Sequence, residues 1–210
     1  MISALPSRQT LKAAALAAAE RGWRVFPLRP GSLTPAVPDW QRKATCDPER
    51  ISNAWDHGPY NVAAVPCPSN LIILDLVPAR PGERPPLRLR SAGIHDGADV
   101  LAELTESANA RFPFEVFTVA TPGGGMHLYF THPPQGPCPQ ASTGTDSALG
   151  WHVAIRSAGT FVPLPGSVVA DGAYEIAHDG LAGRWPAYLA RHLSSGPTSK
   201  ECAAGVLPAS

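Results

Sequence analysis

Charge is scarce in this chain: Asp, Glu, Lys and Arg make up 16% of it, against about a quarter of an average soluble domain. The two signs balance, with 17 Lys plus Arg against 17 Asp plus Glu. A dedicated, sequence-blind duplex-DNA binder carries a clear basic excess, so any nucleic-acid contact here has to be local. Cysteine is sparse too. Cys46, Cys67, Cys138 and Cys202 stand apart, with no CxxC pair and no Cys/His cluster, which argues against a zinc site and against a disulfide framework. No run approaches the roughly 18 apolar residues of a membrane span, and no leader-like segment opens the chain. The alanine-rich stretch 11–19 contains Lys12 and runs into Glu20 and Arg21, so it reads as a helix. The expectation is a cytoplasmic protein without a membrane contact.

Proline and glycine are plentiful, with 24 and 19 residues, and they punctuate loops rather than form one tract. A chain of 210 residues that is 44% hydrophobic is long enough to bury the core of one domain. That domain is expected to span residues 1–193. Residues 194–210 show no periodicity and are expected to form a flexible tail.

Along the chain, the spacing predicts a helix over 7–21 with Ser7 as N-cap and Gly22 as stop. A strand follows over 23–28, then a loop to Trp40. Asp47-Pro48-Glu49 starts a second helix running to Trp55, because Asp caps, Pro suits the first turn and Glu complements the dipole. Asn61–Val65 reads as a strand, and the apolar run Leu71–Val77 as a buried central strand. Pro78–Ser91 reads as a Pro/Arg loop, and Asp96 caps a helix over 97–107. Glu115–Ala120 and Met126–Phe130 form a hairpin around Thr121-Pro122-Gly123-Gly124-Gly125. Residues 135–149 read as a flexible loop. Strands are predicted at 151–156 and 160–163 around Ser157-Ala158-Gly159, and at 174–177, with a last helix over 185–193. The absence of strict βαβ alternation favours an α/β chain of the α+β kind, with a mixed, partly antiparallel sheet flanked by helices.

Several of these segments, in order, are GWRVFPLRPGSLTP (22–35), WQRKATCDPERISNAW (40–55), YNVAAVP (60–66), LIILDLV (71–77), TPGGGMHLYF (121–130) and GWHVAIRSAGTFVPLPGS (150–167). With YEI at 174–176 and the WPAYL helix at 185–189, they resemble the bifunctional DNA primase/polymerase N-terminal (prim-pol) domain of the archaeo-eukaryotic primase superfamily. The resemblance spans about residues 10–193. It implies an RRM-like catalytic core, DNA-directed nucleotidyl transfer in DNA replication, and nucleotides and DNA as partners. It also implies magnesium or manganese as cofactor if the site is active, and a separate helicase or replication protein as partner.

Nucleotidyl transfer of this kind uses two divalent ions held by carboxylates. Side chains at i and i+2 of a strand share a face, so an Asp-x-Asp/Glu pair supplies two ligands, and a neighbouring strand supplies a third. On this chain the resemblance puts Asp75 at the first acid position, but Val77 stands at the second and Ala154 at the third. His127, on the strand after the glycine turn, and Arg156 are kept. Leu33 stands where a lysine is common, and Thr160 where the last glycine of the RxxGG turn is expected. The resemblance thus assigns remnant catalytic positions to Asp75 and His127, with Asp75 as the metal ligand. Phosphate binding falls to Gly124, Gly125, His127 and Arg156.

Each assignment has a plainer alternative. Asp75 also reads as a hydrogen-bonded structural acid, His127 as a satisfied strand histidine, Arg156 as a surface ion-pair partner, and the glycines as a simple turn. His127 and His132 are five apart, which puts them on opposite faces of a strand. His152 shares parity with Ala154 and Arg156 and so is expected to face the same site. Asp146, Glu83 and Asp96 are the acids that substitute ligands would come from. Trp23, Trp40, Trp55 and Trp151 read as core or loop anchors. Arg80, Arg84, Arg88 and Arg90 form the one dense basic stretch; it reads as a solvated loop, or as a nucleic-acid backbone contact. The leading expectation is a degenerate primase/polymerase-like protein that keeps nucleotide or nucleic-acid binding. The rivals are an active template-dependent primase/polymerase with substitute ligands, and a non-catalytic interaction scaffold.

Overall fold

A six-stranded sheet, a three-stranded sheet and two two-stranded pairs are built from these segments in a computed structural model that describes residues 6–132, 137–190 and 195–198. Helix α1 (Arg8–Glu20) starts where Ser7 Oγ accepts the Thr10 N–H at 3.1 Å. It stops at Gly22, whose φ of +80° only glycine adopts without strain. It buries Leu11, Ala15 and Ala18, spaced as one helical face requires. Strand β1 (Val25–Leu28) leads to the short helix α2 (Trp40–Lys43) and to α3 (Pro48–Asp56). Asp47 caps α3 by accepting the Glu49 and Arg50 N–H groups, and Ile51 and Trp55 are its buried side. Strand β2 (Asn61–Ala64) pairs antiparallel with β1.

Strand β3 (Leu71–Leu76) is the centre of the larger sheet. The Pro/Arg stretch, expected as a loop throughout, closes with the short helix α4 (Leu87–Ser91) before α5 (Gly97–Ser107), which Asp96 caps. The expected hairpin is β4 (Thr118–Ala120) and β5 (Met126–Thr131), paired antiparallel. Then come β6 (Pro137–Pro139), β7 (Val153–Arg156) and β8 (Val162–Pro163). The last two, read as neighbours around a turn, fall in different sheets. Strand β8 joins β2 to complete the small sheet β1–β2–β8, whereas β7 joins β3.

A small hairpin of β9 (Val168–Val169) and β10 (Gly172–Ala173) precedes β11 (Glu175–His178), β12 (Gly183–Arg184) and helix α6 (Ala187–Ala190). Strand β13 (Ser195–Thr198) pairs with β6, so part of the expected tail carries a strand. The remainder, 199–210, lies outside the described residues, as do 133–136 of the expected flexible loop and 191–194 of the expected last helix. The large sheet runs β11–β4–β5–β3–β7, antiparallel throughout except that β12 pairs parallel with β5. The architecture is therefore the mixed α+β sheet that the sequence predicted.

Strand alternation sends the two halves of LIILDL into different cores. Leu71 and Ile73 pack with Trp23, Phe117 and Tyr129 beneath α1 and α3. Ile72, Leu74 and Leu76 pack with Val100, Leu101, Trp185 and Leu189 from α5 and α6. Each fully buried Leu or Ile contributes about 1.5–3 kcal/mol, so the strand is fixed in register from both faces. A one-residue slip would expel both sets. Among the described residues, no helix is long and apolar enough to cross a membrane. Cys46 is a free thiol, whereas Cys67 is disulfide-bonded, a link that the isolated spacing did not announce.

Candidate functional site

Asp75 is the single polar residue of β3, and the ladder fixes what stands beside it. It lies opposite His127 on β5 and opposite Ala154 on β7. Two residues back along the strand, Ile73 lies opposite Tyr129 and Arg156. Opposed residues share a face, so Asp75, His127, Ala154, Tyr129 and Arg156 all stand on the α1/α3 side. The grouping of Asp75, His127, Ala154 and Arg156 expected from the sequence is therefore present.

The carboxylate is already engaged. Arg156 donates from Nε at 3.0 Å and from Nη2 at 2.7 Å, both to Oδ2 of Asp75. Oδ1 lies 3.5 Å from His127 Nε2. The side chains of Asp75, Arg156 and His127 are 15%, 23% and 6% exposed, so water is largely excluded and the charge of Asp75 is offset by one guanidinium. Burial pushes the His127 imidazole below its ordinary pKa; Asp75 opposes that shift and Arg156 reinforces it. The phenols alongside are driven the other way. Burial raises Tyr129, with Tyr174 and Asp75 adding to it. Tyr174, whose ring centroid is 5.9 Å from that of His127, is pushed up to about 12 by burial first and then by Asp75 and Asp171.

Two buried polar atoms of this face, His127 Nδ1 and the Tyr129 hydroxyl, have no hydrogen-bond partner among the described residues. Such atoms are uncommon and call for an explanation. Tyr129 was missed in the sequence, although it is two residues from His127 on one strand and so had to share its face.

The glycine turn sits at the near end of the hairpin. Gly123 and Gly124 have φ of +87° and +91°, conformations that disfavour any side chain. At Gly125 an added Cβ would stand 2.7 Å from both the Leu76 carbonyl and Thr121 Oγ1. Close packing against the end of β3 thus accounts for that glycine without a ligand.

The substitute acids do not reach Asp75. Asp96 is spent on capping α5 through the Ala98 and Asp99 N–H groups. Glu83 Oε1 lies 3.0 Å from His152 Nε2, and Asp146 Oδ1 accepts the His152 N–H at 2.9 Å. His152 itself precedes β7 with φ of +59°. Strand parity therefore does not extend to it, and its ring engages Glu83 rather than the Asp75 row. Its carbonyl accepts the Val77 N–H at 2.9 Å, which seats Val77 beside this second cluster. Arg80, Arg84, Arg88 and Arg90 are all exposed, with the last two on α4.

A two-ion centre needs clustered carboxylate oxygens with near-ideal geometry around each ion. Among the described residues, no group of three or more His, Cys, Asp or Glu is placed to hold a metal ion. Asp75 is flanked by Ala154 and bound by Arg156, so the residues present do not fit such a centre. The site can orient a guanidinium and present it, with His127, to an anion.

The family model for the bifunctional DNA primase/polymerase N-terminal domain (Prim-Pol) matches residues 15–192. Members of that family are nucleotidyltransferase-like and usually metal-dependent, and the family implies dealings with nucleotides and DNA. No curated protein matches the chain. The match covers most of the length, and the chain belongs to the bifunctional DNA primase/polymerase N-terminal domain family.

Proposed function

We propose that this protein is a degenerate primase-polymerase domain that binds the phosphate of a nucleotide or nucleic acid without metal and without efficient nucleotidyl transfer. The observation that supports this most directly is the Arg156 guanidinium seated on Oδ2 of Asp75, with alanine at 154 directly opposite and valine at 77. One carboxylate neutralised by one arginine leaves no negative charge to attract two divalent ions. Arg156 still has Nη1 donors to offer an anion, and its guanidinium is held in place in advance. Asp75 acts here as a positioning residue, while His127 Nδ1 and the Tyr129 hydroxyl are the unused polar groups that a ligand would satisfy. Gly124, where an added Cβ would meet nothing within 4 Å, leaves a phosphate room at the turn. The working unit is residues 1–193, in a cytoplasmic, replication-linked setting, with a separate helicase or replication protein as the class of partner.

Calorimetric titration with ATP and dATP, in magnesium and in EDTA, tests this together with primer extension. Binding that survives EDTA, is lost in Arg156→Ala and is accompanied by no extension is the expected result. Metal-dependent incorporation abolished by Asp75→Ala would overturn the reading. The double substitution Val77→Asp with Ala154→Asp is expected to raise manganese affinity, since the side chain at 154 stands directly opposite Asp75.

A further inference from the structure

Strand β11 ends the large sheet: β4 flanks it on one side, and no strand among the described residues flanks it on the other. All of its residues, Glu175, Ile176, Ala177 and His178, are exposed. The hydrogen-bond register decides which backbone groups the open side carries. Thr121 N–H donates to the Gly125 carbonyl, and Tyr129 N–H to the Phe117 carbonyl. The odd-numbered residues of this stretch therefore bond β5, and Thr118 and Ala120 turn their backbone towards β11. Glu175 stands opposite Ala120 and His178 opposite Thr118, with a bulge between Ile176 and His178. The N–H and C=O of Ile176 consequently point out of the sheet. Two residues earlier the edge is closed, because Tyr174 exchanges backbone hydrogen bonds of 2.9 Å with Gly166 and Ser167. Ile176 has no such outer partner among the described residues. The strand also lacks lysine and proline, the usual blockers of an edge.

Side chains extend the opening. Of the five large hydrophobic side chains exposed among the described residues, Phe114, Ile176 and Leu181 belong to β11 and the segments bordering it and β4, and each is more than half exposed. Such clustering marks an interaction surface. Ile176 faces the α1 side, because it opposes Val119, which in turn opposes His127. There it borders a cleft of about 210 Å³ lined also by Ala14, Ala17, Leu164 and Pro165. Glu175 and His178 share the other face, as do the residues opposite them. Neither has an ionic partner among the described residues.

We infer that β11 docks a second copy of this chain, antiparallel along the same edge, so that two protomers share one continuous sheet. The chemistry selects that occupant because the edge is complementary to itself about a twofold axis. With the axis at Ile176, the two Ile176 backbones exchange a pair of hydrogen bonds. Their side chains meet on the α1 face, beside the two clefts. On the other face each Glu175 stands against the bulge of the second copy and so beside its His178, and cross-strand pairs of opposite charge stabilise a sheet. The two Asp75 rows then open on one face of the joined sheet, about 34 Å apart at about 4.8 Å per strand. The inference uses none of Asp75, His127 and Arg156, so it stands or falls apart from the phosphate reading.

Sedimentation equilibrium of the full chain over a concentration series tests this. The expected result is a rise from one to two chain masses, with half-association in the micromolar range. Ile176→Lys sets two ammonium groups face to face at the axis and is expected to weaken association at least about tenfold. His178→Glu sets like charges together at both ends of the pairing and should weaken it about fivefold, whereas Glu175→Lys/His178→Glu restores opposite charges and should return it to within about twofold of the unmodified protein. These side chains are exposed, so the unfolding midpoint of each variant at low concentration should match that of the unmodified chain. A single chain mass at every concentration up to about 200 µM overturns the inference and leaves the edge to a different protein. Association that Ile176→Lys leaves unchanged also overturns it, because the interface then lies elsewhere. A double variant as weak as His178→Glu alone refutes the antiparallel pairing.

Discussion

Replacing Asp75 with alanine separates a positioning acid from a metal ligand by the sign of the stability change. In an ion-binding centre without its ions, clustered carboxylates repel one another, so removing one stabilises the fold at the expense of function. Here Asp75 has no acidic neighbour on its row; it has Arg156, with contacts of 3.0 and 2.7 Å to one oxygen. Hydrogen bonds to charged groups are worth about 1.5–3 kcal/mol, and orphaning one member of a fully buried pair costs about 3–5 kcal/mol. Arg156 is 23% exposed, so water recovers part of that loss, and the two contacts share one acceptor. The expected destabilisation is about 2 kcal/mol for Asp75→Ala. Asp75→Asn keeps an acceptor oxygen and should lose about half as much.

Urea unfolding in EDTA reads this directly. With a slope of about 2 kcal/mol per molar for a chain of this size, the midpoint falls by about 1 M. A cycle with Arg156→Met should give a coupling of about 1–2 kcal/mol, because each single variant strands the other's charge and the double variant strands neither. A midpoint that rises, or a coupling of zero, refutes the argument: Asp75 would then be a carboxylate held ready for something other than Arg156.

Other expectations follow from the same face. The His127 imidazole titrates below its ordinary value of about 6.5, so the unfolded chain binds more protons than the folded one between the two values. Stability is therefore full above about pH 6.5 and falls as the solution is acidified towards the folded value; thermal melts across pH 5–8 should show this slope, and His127→Gln should flatten it. Tyr129→Phe removes a buried hydroxyl that has no partner among the described residues, so stability should hold or rise by up to about 1 kcal/mol while nucleotide affinity falls; a loss of stability would reveal a hidden partner. Gly125→Ala should cost about 1–3 kcal/mol by overpacking, because the added carbon would stand 2.7 Å from the Leu76 carbonyl; unfolding midpoints check it.

What the sequence disclosed was carried by residues with one physical reading. Ser7, Asp47 and Asp96 cap helices where expected because a short acceptor ahead of an amphipathic run has few other uses. LIILDL announced a central strand because only a position covered on both faces tolerates unbroken aliphatics. The row of Asp75, His127 and Ala154 followed from period two plus the family resemblance. The failures are where periodicity has no authority. The left-handed φ of His152 breaks the parity that joined it to Ala154. The short helix α4 is too brief to show a period. The Glu83–His152 contact joins residues 69 positions apart, and no local pattern encodes it.

The place of Asp75 in the strand is best understood together with Arg156, its partner on the neighbouring strand. An unpaired Asp75 at 15% exposure would carry a desolvation cost that an aliphatic strand cannot offset. Arg156 is placed to relieve it, because diagonal neighbours on adjacent antiparallel strands lie within reach of a long side chain. The Asp75–Arg156 pair therefore has a structural task of its own, and Ala154, directly opposite Asp75, adds no charge beside it.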